Sequence, residues 1–163
     1  YSSHRERNRP MDQVYLHDVA ALGSLKNLSA AASATAGGTG NATATTGHCI
    51  DRFGFLGGIA GCAAFALLWE ATLATGATLT LAYVVQESPD GTIWSEYASG
   101  SSVVATGNAA GSAQYGAFEI GVDLHSAGRY VRLNSTPTLS ASATDTANTQ
   151  ATGFFAGFDR LPQ

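Results

Sequence analysis

Polar and apolar residues alternate most regularly between Thr78 and Gln86. Leu79, Leu81, Tyr83 and Val85 fall on one face of an extended strand, and Thr78, Thr80, Ala82, Val84 and Gln86 on the other. Pro89-Asp90-Gly91 follows, where proline presets a turn dihedral, aspartate bonds its own backbone and glycine accepts positive φ. Thr92 to Tyr97 then reads as the returning strand, so Ala77 to Tyr97 predicts a hairpin. The two-residue period recurs at Phe118, Ile120, Val122 and Leu124. Tyr130 to Leu133 predicts a further strand, which Pro137 either breaks or marks as an edge. Cys62 to Thr75 is rich in helix formers, yet Phe65, Leu67 and Trp69 alternate with Ala64, Ala66, Leu68 and Glu70. With β-like segments all around it, strand is the expected state.

The remaining stretches carry little contrast. His48 to Asp51 reads as a short strand, while Val14 to Leu28 fits both helix and strand spacing. Ser29 to Thr46 contains only Ala, Ser, Thr, Gly and Asn, too little apolar area to offset the entropy of ordering unless a partner holds it. Ser99–Gln114 and Thr138–Ala151 read as similar small-residue loops. The pattern as a whole predicts an all-β, antiparallel β-sandwich or jelly roll over residues 47–163. An extended N-terminal arm and small-residue linker over residues 1–46 are expected before it.

Composition narrows the picture. A chain of 163 residues suits one domain. Its hydrophobic fraction of 45% includes 29 alanines, so the expected core is modest and gains from burying surface on a partner. Arg5, Arg7 and Arg9 against Glu6 give residues 1–11 a balance of +2, while the rest of the chain stands at −6. A basic arm on an acidic body points to docking on an acidic surface and argues against a nucleic-acid backbone. Phe53 to Trp69 lacks charge, but it is mostly Ala and Gly and ends at Glu70, so no membrane span is expected. The polar, charged opening predicts no signal peptide. Cys49 and Cys62 are too few for a disulfide framework and are expected as reduced, buried small residues.

Candidate chemistry is sparse. His17-Asp18 are neighbours that point to opposite faces of a strand, and His48, Cys49, Asp51 and Cys62 lack the paired spacings of a zinc site. Gly54 to Gly58 has no strand–turn–helix setting for a nucleotide. Glu87, Asp90 and Glu96 are too few for calcium, and the sequons at Asn27, Asn41 and Asn134 lie in Ser/Thr-rich sequence where chance produces them. No catalytic residue, metal ligand or cofactor is therefore expected, and the chain reads as non-enzymatic.

Two motifs carry a resemblance. Val85-Gln86-Glu87-Ser88-Pro89-Asp90-Gly91-Thr92-Ile93-Trp94 resembles a V-Q-E-S-x-D-G-x-x-W hairpin, and Gly128-Arg129-Tyr130-Val131-Arg132-Leu133 a following R-Y-V-R strand. With the Ile50-Asp51 strand, the strand around Phe65 to Trp69 and a closing Gly-Phe-Asp-Arg-Leu-Pro, residues 47–160 resemble a family of small structural proteins in tailed-phage and prophage head gene clusters. The resemblance implies a virion protein that decorates, or cements, the outer capsid surface by binding the major capsid protein. It implies self-association as well, a trimer rather than a dimer. The same motifs are similar to those of discoidin-like carbohydrate-binding jelly rolls, which implies a glycan-binding or host-adhesion module as the alternative; a head–tail or tail structural protein is a third reading. In each, Asp90 and Gly91 are expected to set hairpin register, and Trp94 and Tyr130 to fill a core otherwise poor in large side chains. Arg129 and Arg132 are expected on a sheet face or interface.

Overall fold

The computed structural model describes residues 23–55, 58–109, 111–140 and 144–159. These form nine strands and no helix: β1 (Gly23–Asn27), β2 (Ala32–Thr35), β3 (Ile50–Asp51), β4 (Ile59–Thr72), β5 (Thr78–Ser88), β6 (Ser95–Thr106), β7 (Ala113–Asp123), β8 (Tyr130–Leu139) and β9 (Thr146–Asp159). Sheet A has the order β1-β9-β4-β7, with β2 continuing the β1 edge along β9. Sheet B has the order β3-β8-β5-β6. All pairings are antiparallel, and the two sheets pack face to face. With β1 and β2 sharing one strand position, this is the two four-stranded sheets of a jelly roll.

The expected alternation fixes the inner faces. Leu79, Leu81 and Val85 of β5 are fully buried, as are Phe65 and Leu67 of β4. Cys62–Thr75 is strand through Thr72, because ladders to β7 and β9 on both sides outweigh the helix propensity of its alanines. Phe155 of β9 links the inner-face aromatics, its ring centroid 5.1 Å from that of Phe55 and 5.7 Å from Phe65. Tyr83 of sheet B meets Phe118 of sheet A edge-on at 5.8 Å.

Several segments differ from expectation, most of them through long-range pairing. Residues 23–46, read as arm and linker, belong to the sandwich. β1 and β2 lie along β9, and Leu28, Ala34 and Ala36 are buried in the core. Gly153 makes room for this, since a Cβ there would stand 2.8 Å from Leu28 Cδ1 and 2.9 Å from Phe65 Cδ1. The partner that a small-residue segment needs is supplied by β9 itself. The stretch Ser99–Gln114, read as a loop, is strand at both ends, because β5 and β4 hold β6 and β7 in register despite their Ser, Gly and Ala content. Thr92 to Trp94 belongs to the turn, and the returning strand starts at Ser95. Pro137 sits within β8 and its carbonyl accepts from Ala42 N–H. A residue's N–H and C=O point to the same side of a strand, so the missing donor faces the edge and no bond to β5 is lost. Cys49 and Cys62 are free and exposed, not buried.

Candidate functional site

The two motifs meet on the outer side of sheet B, because β5 and β8 are neighbours with Gln86 opposite Arg132. Gln86 Oε1 accepts from Arg132 Nε and from Asn134 Nδ2, both at 2.8 Å, and Asn134 Oδ1 accepts from Gly47 N–H at 3.0 Å. Trp94 folds over this row, with the Arg132 guanidinium 4.1 Å from its ring centroid. A planar cation on an indole face is a favourable electrostatic contact as well as a stacked one. Trp94 and Tyr130 are only half-buried, and neither belongs to the core. Even-numbered positions of β8 face outward while Val131 and Leu133 face in, so the R-Y-V-R pattern puts Tyr130 and Arg132 outside.

The turn between β5 and β6 is held by its own polar atoms. Ser88 Oγ donates to Asp90 Oδ1 at 3.0 Å and accepts from Gly91 N–H at 2.9 Å. Asp90 Oδ1 also accepts from Thr92 N–H (2.8 Å) and Ile93 N–H (3.0 Å). Gly91 has φ of 77°, a left-handed backbone that glycine adopts without a Cβ penalty. The turn thus lifts Ile93 to its tip, 75% exposed. Donation by Ile93 N–H, then by Thr92 and Ser88, holds the Asp90 carboxyl far below the usual carboxylate range. A depressed folded pKa means the carboxylate's contribution is present above the ordinary value of about 3.9 and is lost as pH falls through the folded one. We expect the Asp90 carboxyl carbon, followed by NMR, to titrate well below a solvated aspartate, with the Thr92 and Ile93 amides moving in the same step. Titration at the ordinary value would show that the turn is not held this way.

Three loops close this end of the sandwich. Arg129 after β7 pairs with Asp51 of β3, Nη2 to Oδ2 at 2.7 Å and Nε to Oδ1 at 3.1 Å, and its guanidinium lies 5.5 Å from the Phe53 ring centroid and 5.1 Å from that of Tyr130. The pairing lowers the Asp51 pKa, mainly through the Arg129 hydrogen bond. Arg52, only 3% exposed, donates from Nε to the Ala60 carbonyl at 3.0 Å, and from Nη1 to the carbonyls of Gly128 (2.9 Å) and Ala127. Neither motif contains Arg52, and an arginine beside a glycine-rich stretch gives no sequence sign of burial. Nearby, Asp123 Oδ1 meets His125 Nδ1 at 2.7 Å and accepts His125 N–H, closing the turn after β7.

The arrangement can bind but shows no convergent chemistry. Its charged groups are engaged, Arg129 with Asp51 and Arg132, Asp90 and Arg52 with neutral partners, leaving an aromatic, amide-rich platform bordered by Ile93 and Phe53. Among the described residues no three His, Cys, Asp or Glu side chains are grouped to hold a metal ion. Asp90, Gly91, Trp94 and Tyr130 are brought together at one end of sheet B; Arg5, Arg7 and Arg9 lie outside the described residues.

No protein-family model and no curated protein sequence matches the chain. Solved structures similar to it include that of infectious bursal disease virus Gx strain (12% identity, TM-score 0.48) and that of the Gt strain (10%, 0.48). The crystal structure of the infectious bursal disease virus VP2 subviral particle is also similar (12%, 0.47). Each match covers 82% of this chain and 32% of the other, so the chain spans about a third of the length of those it matches. At such identities and scores these matches say nothing of what the chain does.

Proposed function

We propose that this chain is a non-enzymatic structural protein of a tailed-phage virion. It sits on the outer capsid surface and stabilises the shell by binding the major capsid protein. The observation that carries the reading is the junction of the two motifs. The residues by which the sequence resembles phage head proteins form one unit, with Gln86 bonded to Arg132 and Arg132 stacked on Trp94. Jelly rolls serve in viral capsids and in lectins alike, so the fold supports more than one role. A cement acts by mass action: it binds assembled shell and not the dissociated subunits, and so shifts the equilibrium toward the shell. Ile93, at the tip of a turn held by its own hydrogen bonds, is suited to such contact because little conformational freedom is lost on docking. Arg5, Arg7 and Arg9 supply a charge-based second contact in this reading.

Purified protein added to shells that lack it is expected to attach and to raise their disassembly temperature. Ile93→Asp should weaken attachment, and removal of residues 1–13 should weaken it most at low salt, where charge attraction is least screened. No association with any shell would sink the proposal. The glycan-binding alternative is favoured by one feature, an indole beside the amides of Gln86 and Asn134. Selective glycan binding that Trp94→Ala abolishes, without shell attachment, would establish that reading instead.

A further inference from the structure

Sheet A turns one face to the core, and among the described residues its other face is uncovered. Leu68 of β4, 43% exposed, lies on that uncovered face between Gln150 of β9 and Ala117 of β7. Leu25 of β1 (69% exposed) and Tyr115 of β7 (84%) stand toward its two sides. Two shallow hollows of about 240 and 420 Å³ share Leu68 and Gln150 as walls. Ala64, Ala66 and Gly121 keep the β4–β7 side of the face low, while Phe154 of β9, its ring over Gly23, stands on the other side.

Charge on this face is one-sided. Glu70, Glu119 and Asp123 lie on β4 and β7, whereas β1 and β9 contribute Asn27, Gln150 and Thr152. Lys26 of β1 is directed elsewhere, its ammonium 5.2 Å from the Phe55 ring centroid. We propose that a second copy of this chain docks here, related by a twofold axis running along the strands. Under that symmetry the β1–β9 half of each copy covers the β4–β7 half of the other, so Glu119 stands over the mate's Asn27, Glu70 over its Asn148 and Asp123 over its Gly23, and these carboxylates do not meet one another. Leu25 and Gly121 share a level across the sheet, through Phe154 and Ala64. Each Leu25 therefore arrives over the mate's Gly121, where a Cβ would meet nothing within 4 Å. Aligned sheets pack face to face in this way inside sandwiches.

The size is sufficient. Four strands are ~19 Å wide and β7's 11 residues ~36 Å long, which gives ~700 Å² per copy. The pair then buries ~1,400 Å², within the ~1,200–2,000 Å² of stable specific interfaces. The inference goes beyond the role on the shell and is tested without shells.

Sedimentation equilibrium of the full chain at about 100 μM, where even a weak specific pair assembles, is expected to give twice the 16.7 kDa chain mass. Leu68→Lys and Tyr115→Lys should each return the single-chain mass, with an unchanged circular dichroism spectrum. The two exposed cysteines give an independent reading, because Cys62 lies on this face and Cys49 does not. Cys62 should react with a thiol reagent about tenfold slower in the wild type than in Leu68→Lys, since only the pair shields it, while Cys49 reacts alike in both. A single-chain mass for the wild type, or a two-chain mass that both variants retain, overturns the proposal. So does a three-chain mass, since face-to-face pairing closes at two. If the wild type is single and Leu68→Lys loses shell attachment, the face belongs to the shell protein and the second copy is excluded.

Discussion

Replacing Phe155 by alanine is expected to lower unfolding free energy by about 4 kcal/mol, the range seen when a buried phenylalanine is truncated. Phe155 is fully buried, and its ring ties Phe55, from the loop after β3, to Phe65 at the centre of β4. The site has little means of collapse. β9 is paired to β4 on one side and to β1 and β2 on the other, so its backbone cannot move inward without breaking two ladders. A cavity should therefore persist, and its cost adds to the lost transfer energy of the ring. In a chain of this size that loss corresponds to a fall in melting temperature of about 12 °C. Phe155→Leu keeps most of the volume and should lose well under half as much. Urea denaturation of the three proteins measures both differences. A loss below about 1 kcal/mol for Phe155→Ala would mean that the aromatic cluster does not carry this part of the core.

Arg52→Met should cost about 3 kcal/mol, although methionine keeps the unbranched apolar stem of arginine. The cost lies in what the substitution leaves behind. The carbonyls of Ala60, at the start of β4, and of Ala127 and Gly128, in the loop after β7, all accept from this one guanidinium. A buried carbonyl without a donor forfeits its solvation, and the substitution leaves the buried Ala60 carbonyl and two half-buried ones at once. Burial lowers the Arg52 pKa, opposed by the charges of Tyr97, Glu87 and Asp123. Arg52→Lys keeps the charge but replaces a planar fork with a single ammonium, so it should recover only part of the loss. Equilibrium denaturation gives the magnitudes, and amide hydrogen exchange in residues 124–129 should quicken in both variants. If Arg52→Met is neutral, the clamp between these loops is not what orders this end of the sandwich.

Arg52 also shows where reading the chain residue by residue stops. Leu79, Leu81 and Val85 were legible as an inner face, because a strand with one side buried writes its period into the sequence. Phe65 and Leu67 were legible for the same reason. The Pro89-Asp90-Gly91 turn was legible because its chemistry is local: every bond that Asp90 makes lies within three residues. The candidate platform was legible only in its parts. Gln86, Trp94 and Arg132 stood in recognisable motifs, but their meeting depends on β5 and β8 being neighbours, a fact about pairing.

The sequence by itself determined the fold class, the two best inner faces and the hairpin turn, since each follows from the backbone period or from bonds between near neighbours. Only the tertiary structure decided that residues 23–46 join the sandwich through β1 and β2, that Trp94 and Tyr130 lie outside the core, and that Arg52 lies within the protein. The physical reason is the same in all three. Serine, threonine, alanine and glycine show no contrast between inside and outside, so β1 and β2 take their state from β9. Trp94 and Tyr130 have apolar bodies and polar tips that suit either side of a sheet; the register of β8 chose the outer one for Tyr130, and Trp94 reaches it from the β5–β6 turn by stacking on Arg132. A buried arginine is stable only where several carbonyls from distant parts of the chain converge, and that convergence exists only once the sheets have packed.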